Sequence, residues 1–213
     1  SPDVLIIEST HGLSRIENRE EREYRFIENV TKIIKRGGRC LIPIFALGRA
    51  QELLLILDEY WEQNKEYYGK VPIYYGSNLA KKSIDVYNTY YQPSHNSKIV
   101  TNKGRFDFSH VKYIRDADFD DSMPCVVLCS PAMLQNGMSR KVFEQWCSNP
   151  VNGLIIPGYI VDGTLPQQLV KNPSEIETLA GKKIPRKITI DYISFSGHAD
   201  FNQTSKFITE LKP

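Results

Sequence analysis

Apolar residues along this chain follow two alternating rhythms. Short unbroken runs, VLIIES (4–9), RCLIPIF (39–45), VPIYYGS (71–77), CVVLCS (125–130) and GLIIPGY (153–159), have the length and composition of strands buried on both faces. Between them apolar positions recur at helical spacing. Phe26, Ile27, Val30, Ile33 and Ile34 mark a helix between Ser14 and Gly37; GRAQELLLILDEYWEQN (48–64), NLAKKSIDVYNTYYQ (78–92) and RKVFEQWCSN (140–149) mark three more. Asn18 with Glu21 is placed to cap the first helix, and Gly37-Gly38 to end it. Residues 93–121 mix polar and aromatic positions and keep neither rhythm. PSEIETLAGKKIPRKITIDYI predicts a hairpin about Ala180-Gly181-Lys182 that leads into a last strand, and FNQTSKFITELK predicts a closing helix. Strand and helix alternate throughout, which predicts an α/β protein with a mostly parallel sheet and flanking helices. Both ends read as if cut from something larger.

The bulk numbers narrow the function classes. The 213 residues suffice for one ample core, and 41% hydrophobic with 24% charged residues is an ordinary globular balance. A formal net charge of +2 does not by itself argue for nucleic acid, because phosphate binding needs basic residues gathered on one face. No apolar run spans a bilayer and no signal-peptide pattern opens the chain, so no membrane partner is expected. Cys40, Cys125, Cys129 and Cys147 lack paired zinc spacing and read as reduced core thiols, which favours an intracellular setting. GxGxxG after the first strand and GxxxxGK[ST] are both absent, which removes the usual nucleotide-binding fingerprints.

Candidate chemistry concentrates in ISFSGHAD (193–200), where an apolar run ends in Ser194, Ser196, Gly197, His198 and Asp200. A histidine at the C-terminal lip of a strand stands where α/β proteins place their chemistry. Glu8 closes the first apolar run as His198 closes the last. If the two meet, a carboxylate faces an imidazole, and an adjacent anion favours the protonated ring, whose reference pKa lies near ~6.5. Such a ring donates a proton to a leaving oxygen; a structural hydrogen bond between strand ends is an equal alternative. At FALGRAQE (45–52), Gly48, Arg49 and Gln51 sit on a strand-to-helix turn, either an anion site or a plain helix start. CSPAMLQNGMSR (129–140) is a second polar loop, with Ser130 as a ligand contact or Ser139 as a simple helix cap. Tyr74, Tyr75, Tyr87, Tyr90 and Tyr91 suit either base stacking or packing, and His11, His95 and His110 show no metal spacing.

Taken in order, LIIESTHG, RGGRCLIPIFALGRAQELLLILDEYW, VPIYYGS, CSPAMLQNG, PGYIVDGT and YISFSGHAD resemble the β-CASP branch of the metallo-β-lactamase nucleases over essentially the whole chain. The wording of LLLILDEYW and DFDD looks most like the members that cut pre-mRNA 3′ ends before polyadenylation. Integrator-type nucleases and non-catalytic RNA-binding paralogues are the alternatives. The resemblance implies a zinc-dependent endoribonuclease in the nucleus, acting on RNA (pre-mRNA) beside other subunits of a cleavage and polyadenylation complex, a non-catalytic paralogue among them. EST matches motif A and assigns Glu8; SGHAD matches motif B and assigns His198, the proposed general acid for the leaving ribose oxygen. Arg49, Gln51, Ser130 and Ser196 carry over as RNA contacts. The two zinc ions of the family need an HxHxDH motif that this stretch lacks, as it lacks the motif C histidine, so no metal ligand and no independent activity are expected of it. His11 stands where the family usually has Tyr, and Ala132 where it usually has Gly. The expected division is 10–187 as the β-CASP domain, with 1–9 and 188–213 as metallo-β-lactamase flanks.

Overall fold

A computed structural model describes residues 3–76, 79–90, 106–117 and 119–211. Its elements run α1 (Arg19–Lys35), β1 (Cys40–Pro43), α2 (Arg49–Gln63), α3 (Lys65–Tyr68), β2 (Ile73–Gly76), α4 (Ala80–Tyr90), β3 (Val111–Ile114), β4 (Val126–Cys129), α5 (Gly137–Trp146), β5 (Gly153–Ile156), α6 (Leu165–Val170), β6 (Glu175–Glu177), β7 (Lys183–Pro185), β8 (Thr189–Tyr192) and α7 (Phe201–Leu211). Six strands form one sheet in the order β3-β2-β4-β1-β5-β8, and every adjacent pair is parallel. The mostly parallel α/β architecture is therefore as the sequence predicts.

The unbroken apolar runs explain this sheet. Strands β1, β2, β4 and β5 are buried along their length, and successive side chains point to opposite faces. Cys40, Ile42, Ile73, Tyr75, Val126, Leu128 and Ile155 face one apolar layer with Phe26, Val30 and Ile33 of α1 and Leu53, Leu54 and Leu57 of α2. Leu41, Tyr74, Val127, Cys129, Leu154 and Ile156 face the other layer, with Val142, Phe143 and Trp146 of α5 and Leu165 and Leu169 of α6. Tyr74 and Tyr75 are thus packing residues, their hydroxyls donating to Asp120 O at 3.1 Å and Ala46 O at 2.6 Å. The side chains of Tyr87, Tyr90 and Tyr91, and all of His95, lie outside the described residues.

Local signals set the ends of α1 as anticipated. Asn18 Oδ1 accepts from Glu21 N at 2.9 Å, and Gly37 takes a positive φ of 80° while its N–H returns to Ile34 O at 2.9 Å. The hairpin also forms, β6 pairing antiparallel with β7 around Gly181 at φ 75°. Elsewhere the fold departs from the periodicity. Residues 4–9 form no strand, and Val4 and Ile6 are 77% and 93% exposed, because no described strand lies alongside to complete a ladder. Helix α5 begins at Gly137 rather than Arg140; Ser139 lies inside its first turn, donating to Pro131 O at 2.6 Å, and Asn136 is the cap. Strand β3 was hidden by its partly exposed edge position, and α3 and α6 are too short to show a period. Strand β8, just past residue 188, pairs with β5 along its length.

Replacing Asn18 by alanine is expected to remove the α1 cap and lower unfolding free energy by about 1 kcal/mol. Asn18→Asp should leave it nearly unchanged, and equal losses in chemical denaturation of both variants would show that capping is not its role.

Candidate active site at the strand ends

Alternation continues past the end of β8 and places the SGH turn. Ile193 N donates to Ile156 O at 3.1 Å and Phe195 N to Pro157 O at 3.0 Å, so the chain stays extended beside β5. Ile193 and Phe195 point inward and are buried, with the Phe195 ring edge-to-face against Phe26 of α1 at 5.4 Å. Ser196, Gly197 and His198 consequently emerge at the C-terminal lip of the sheet, where parallel α/β proteins bind ligands.

Glu8 meets His198 there although no strand lies beneath it. Glu8 Oε2 is 2.8 Å from His198 Nδ1, and Glu8 Oε1 accepts from Ala199 N at 2.9 Å. The Ala199 N–H, then the Thr10 side chain, then His198 hold the Glu8 carboxyl down from an ordinary 4.5 to about 2. An ionised carboxylate only accepts hydrogen bonds, so His198 Nδ1 must be the protonated donor. Nε2 is thereby left to carry or release a transferable proton. A fixed anion behind one ring nitrogen, with the other nitrogen at an exposed lip, is an arrangement suited to general acid–base chemistry.

The segment following Glu8 closes over the same turn. His11 Nε2 lies 2.7 Å from Ser196 Oγ, which also accepts from His198 N at 3.2 Å. Phe201 N donates to Ser14 O at 3.0 Å, and Ile16 N to Asp200 Oδ2 at 3.0 Å. Asp200 also starts α7. Its Oδ1 accepts from Gln203 N at 2.9 Å while Gln203 Oε1 accepts from Asp200 N at 3.0 Å, a reciprocal capping box. The Gln203 and Ile16 N–H groups keep the nearly buried Asp200 carboxyl below its ordinary value. The sequence carries this signal only as an acid three residues before Gln203.

The other candidate residues are distributed unevenly. The Arg49 guanidinium packs against Gly197 so closely that a Cβ there would collide with it, and it forms an ion pair with Glu52. The α2 turn therefore reaches the SGH turn through Arg49. Gln51 is only 3% exposed and donates to Ala46 O at 3.0 Å, which directs it into the fold rather than toward the lip. Ser130 follows β4, its N–H donating to Gly76 O at 3.1 Å, and among the described residues its buried Oγ has no hydrogen-bond partner. No contact joins Gln51 or Ser130 to Glu8 or His198 among the described residues.

The donor groups do not assemble a metal site. Among the described residues no three His, Cys, Asp or Glu side chains converge to hold a metal ion. All four cysteines are free and buried, and burial pushes the thiols upward, Cys147 to about 11 and Cys125 to about 12. His110 Nε2 is 2.7 Å from Glu62 and its N–H donates to Asp58, an ion-pair arrangement with no third ligand. Among the described residues, no set of donors fits zinc.

Comparison with known proteins bears on this geometry. Residues 50–169 match the Beta-Casp domain, and residues 183–213 match the Zn-dependent metallo-hydrolase RNA specificity domain, which takes in the SGH turn and α7. The chain is 53% identical over 216 residues to cleavage and polyadenylation specificity factor 73 of Drosophila melanogaster, covering 100% of this chain and 31% of that protein. It is 52% identical to cleavage and polyadenylation specificity factor subunit 3 of Dictyostelium discoideum, covering 99% and 28%. It is 50% identical to endoribonuclease YSH1 of Mycosarcoma maydis, covering 99% and 24%. The chain spans about a third or less of these relatives' length, and the second matched domain is described as that of a Zn-dependent metallo-hydrolase. With a Beta-Casp match over more than half its length and such identity throughout, the chain belongs to the β-CASP family.

Proposed function

We propose that the protein carrying this chain is an endoribonuclease that cuts pre-mRNA 3′ ends ahead of polyadenylation, in the nucleus and within a multi-subunit cleavage complex. The observation that carries the reading is the ionised Glu8 carboxylate 2.8 Å from His198 Nδ1 at the lip of the sheet. Glu8 fixes the ring with Nδ1–H inward, and a protonated Nε2 then gives its proton to the ribose oxygen leaving the scissile phosphate. Developing negative charge on that oxygen is the group's target, so the proton is worth more in the transition state than in the ground state. Arg49, against Gly197, adds positive charge beside the turn; Ser196 contributes by holding the His198 N–H. Ser130, whose buried Oγ has no hydrogen-bond partner among the described residues, is the further RNA contact of this reading, while Gln51 supports RNA binding by shaping, from inside the fold, the α2 turn that carries Arg49. Residues 10–187 are read as the β-CASP part and 1–9 with 188–213 as its metallo-β-lactamase flanks. The family's two zinc ions are expected on residues other than those described, so the part of this stretch is the leaving-group side of the reaction.

His198→Ala in the full-length protein is expected to lower cleavage of a single-stranded RNA by at least the ~10²-fold typical of a lost general acid, with zinc content unchanged. Unaltered cleavage would remove His198 from the reaction. Glu8→Gln should reduce cleavage less, because an amide can still accept from Ala199 N, and a loss greater than that of His198→Ala would contradict the order of roles. The pH dependence of the Glu8 contact follows from its depressed pKa. Its stabilisation is fully present above about 4.5, and is lost as pH falls through about 2. A carboxyl-carbon NMR titration of Glu8 should have its midpoint near 2, whereas a midpoint at 4.5 would mean that the Ala199 and His198 contacts do not form.

A further inference from the structure

Behind the SGH turn, on the side facing α1, lies an open cavity of about 550 Å³ whose wall includes Asn18, Arg22, His198 and Asn202. Arg22 is its unusual member. The guanidinium sits over the Phe195 ring, Cζ 5.0 Å from the centroid, so that the aromatic residue anchoring the turn also holds the cation in place. Among the described residues its buried Nε has no hydrogen-bond partner, and the guanidinium has no carboxylate partner either. Every other charge on that wall is already engaged. Glu17 takes a two-nitrogen contact from Arg25, and Arg19 pairs with Glu23 at 2.5 Å. Asp200 spends both oxygens on backbone N–H groups, and His198 faces Glu8.

A guanidinium held against an aromatic ring, with N–H groups left without a protein partner among the described residues, is suited to a planar or tetrahedral oxyanion, which it binds through in-plane N–H groups. Held beside a proton donor aimed at a phosphodiester, such a cation has an obvious class of ligand. We propose that this cavity seats a second, non-scissile backbone phosphate of the nucleic-acid strand, and that Arg22 is the residue that receives it. The inference rests on the endoribonuclease reading and adds to it a subsite that sets the strand's register against His198. Arg49 on the α2 side and Arg22 on the α1 side would then grip the strand on either side of the reacting bond.

The test uses the full-length protein and a fluorescein-labelled single-stranded RNA whose scissile bridging oxygen is replaced by methylene, so that binding is read without cutting. Single methylphosphonate linkages, which remove one phosphate charge each, are scanned outward from the cut. In the wild type one neighbouring linkage should weaken binding on the order of ten-fold when neutralised. Arg22→Gln should weaken binding of the unmodified RNA by a similar factor and lower the slope of log affinity against log salt by about 0.7. In that variant neutralising the same linkage should cost nothing more, and Arg22→Lys should recover part of the affinity. Circular dichroism establishes that both variants fold; if Arg22→Gln does not, the linkage penalty must still shrink in Arg22→Lys, which keeps the stem and charge but not the fork. An unchanged salt slope, or linkage penalties that all persist undiminished in the variants, would overturn the assignment. A wild-type protein that neither binds this RNA nor cuts its oxygen-bridged form would overturn the endoribonuclease reading itself, and the subsite with it.

Discussion

One carboxylate joins the two extremities of this chain. Glu8 accepts from Ala199 N with one oxygen and from His198 Nδ1 with the other, bridging positions 190 residues apart. A loop carrying Ser196, Gly197 and His198 loses considerable conformational freedom when it takes a single shape, and something must offset that loss. Glu8 does so at His198 itself, and because the carboxylate stays ionised it also dictates which ring nitrogen holds the inward proton. Ring orientation, tautomer and the outward aim of Nε2 are thus consequences of one contact.

That contact is exposed, and ion pairs in water are individually weak. Its persistence depends on the frame around it. Ile193 and Phe195 are buried on either side of Ser194, and Phe195 is edged by Phe26 from α1, so the turn starts from a rigid point. The segment from Glu8 to Ile16 then makes successive hydrogen bonds to Ser196, Asp200 and Phe201, and each shortens the free loop left for the next. Phe195 has a double role, anchoring the turn in the core and presenting the flat surface on which Arg22 rests. Arg22 and Arg49 are therefore both brought near the SGH turn by contacts that fold stability already positions.

Much of this was legible in the sequence, for reasons specific to each element. The four central strands are short apolar runs because both of their faces are covered, and α1 and α2 repeat at 3.6 because one face of each is. Asn18, Gly37 and Gly181 mark boundaries through local backbone chemistry that no tertiary contact overrides. The run at 4–9 misled because its apolar character reports a need for burial without naming the neighbour, and no described strand supplies one. Strand β3 was invisible because an edge strand, half exposed, does not need an apolar run. The pairing of Glu8 with His198 was reachable from their positions at the ends of apolar runs, and from the EST and SGHAD motifs. Gln51 shows the limit of that route, since a motif fixes residue type but not which way a side chain turns. Arg22 had no signal at all: within REEREYRF it is one charge among many, and only the Phe195 ring beneath it sets it apart.

The central claim is that His198 supplies a proton to the leaving oxygen, and a substrate that needs no proton tests it most directly. A single-stranded RNA with sulfur in place of the bridging ribose oxygen at the cut has a leaving group that departs as a thiolate. The rates of wild-type and His198→Ala full-length protein on the oxygen and sulfur substrates form a four-way comparison. The account predicts that the variant fails on oxygen yet cuts the sulfur substrate at close to the wild-type rate. An equal loss on both substrates would contradict it, and would assign His198 to holding the lip together rather than to moving a proton.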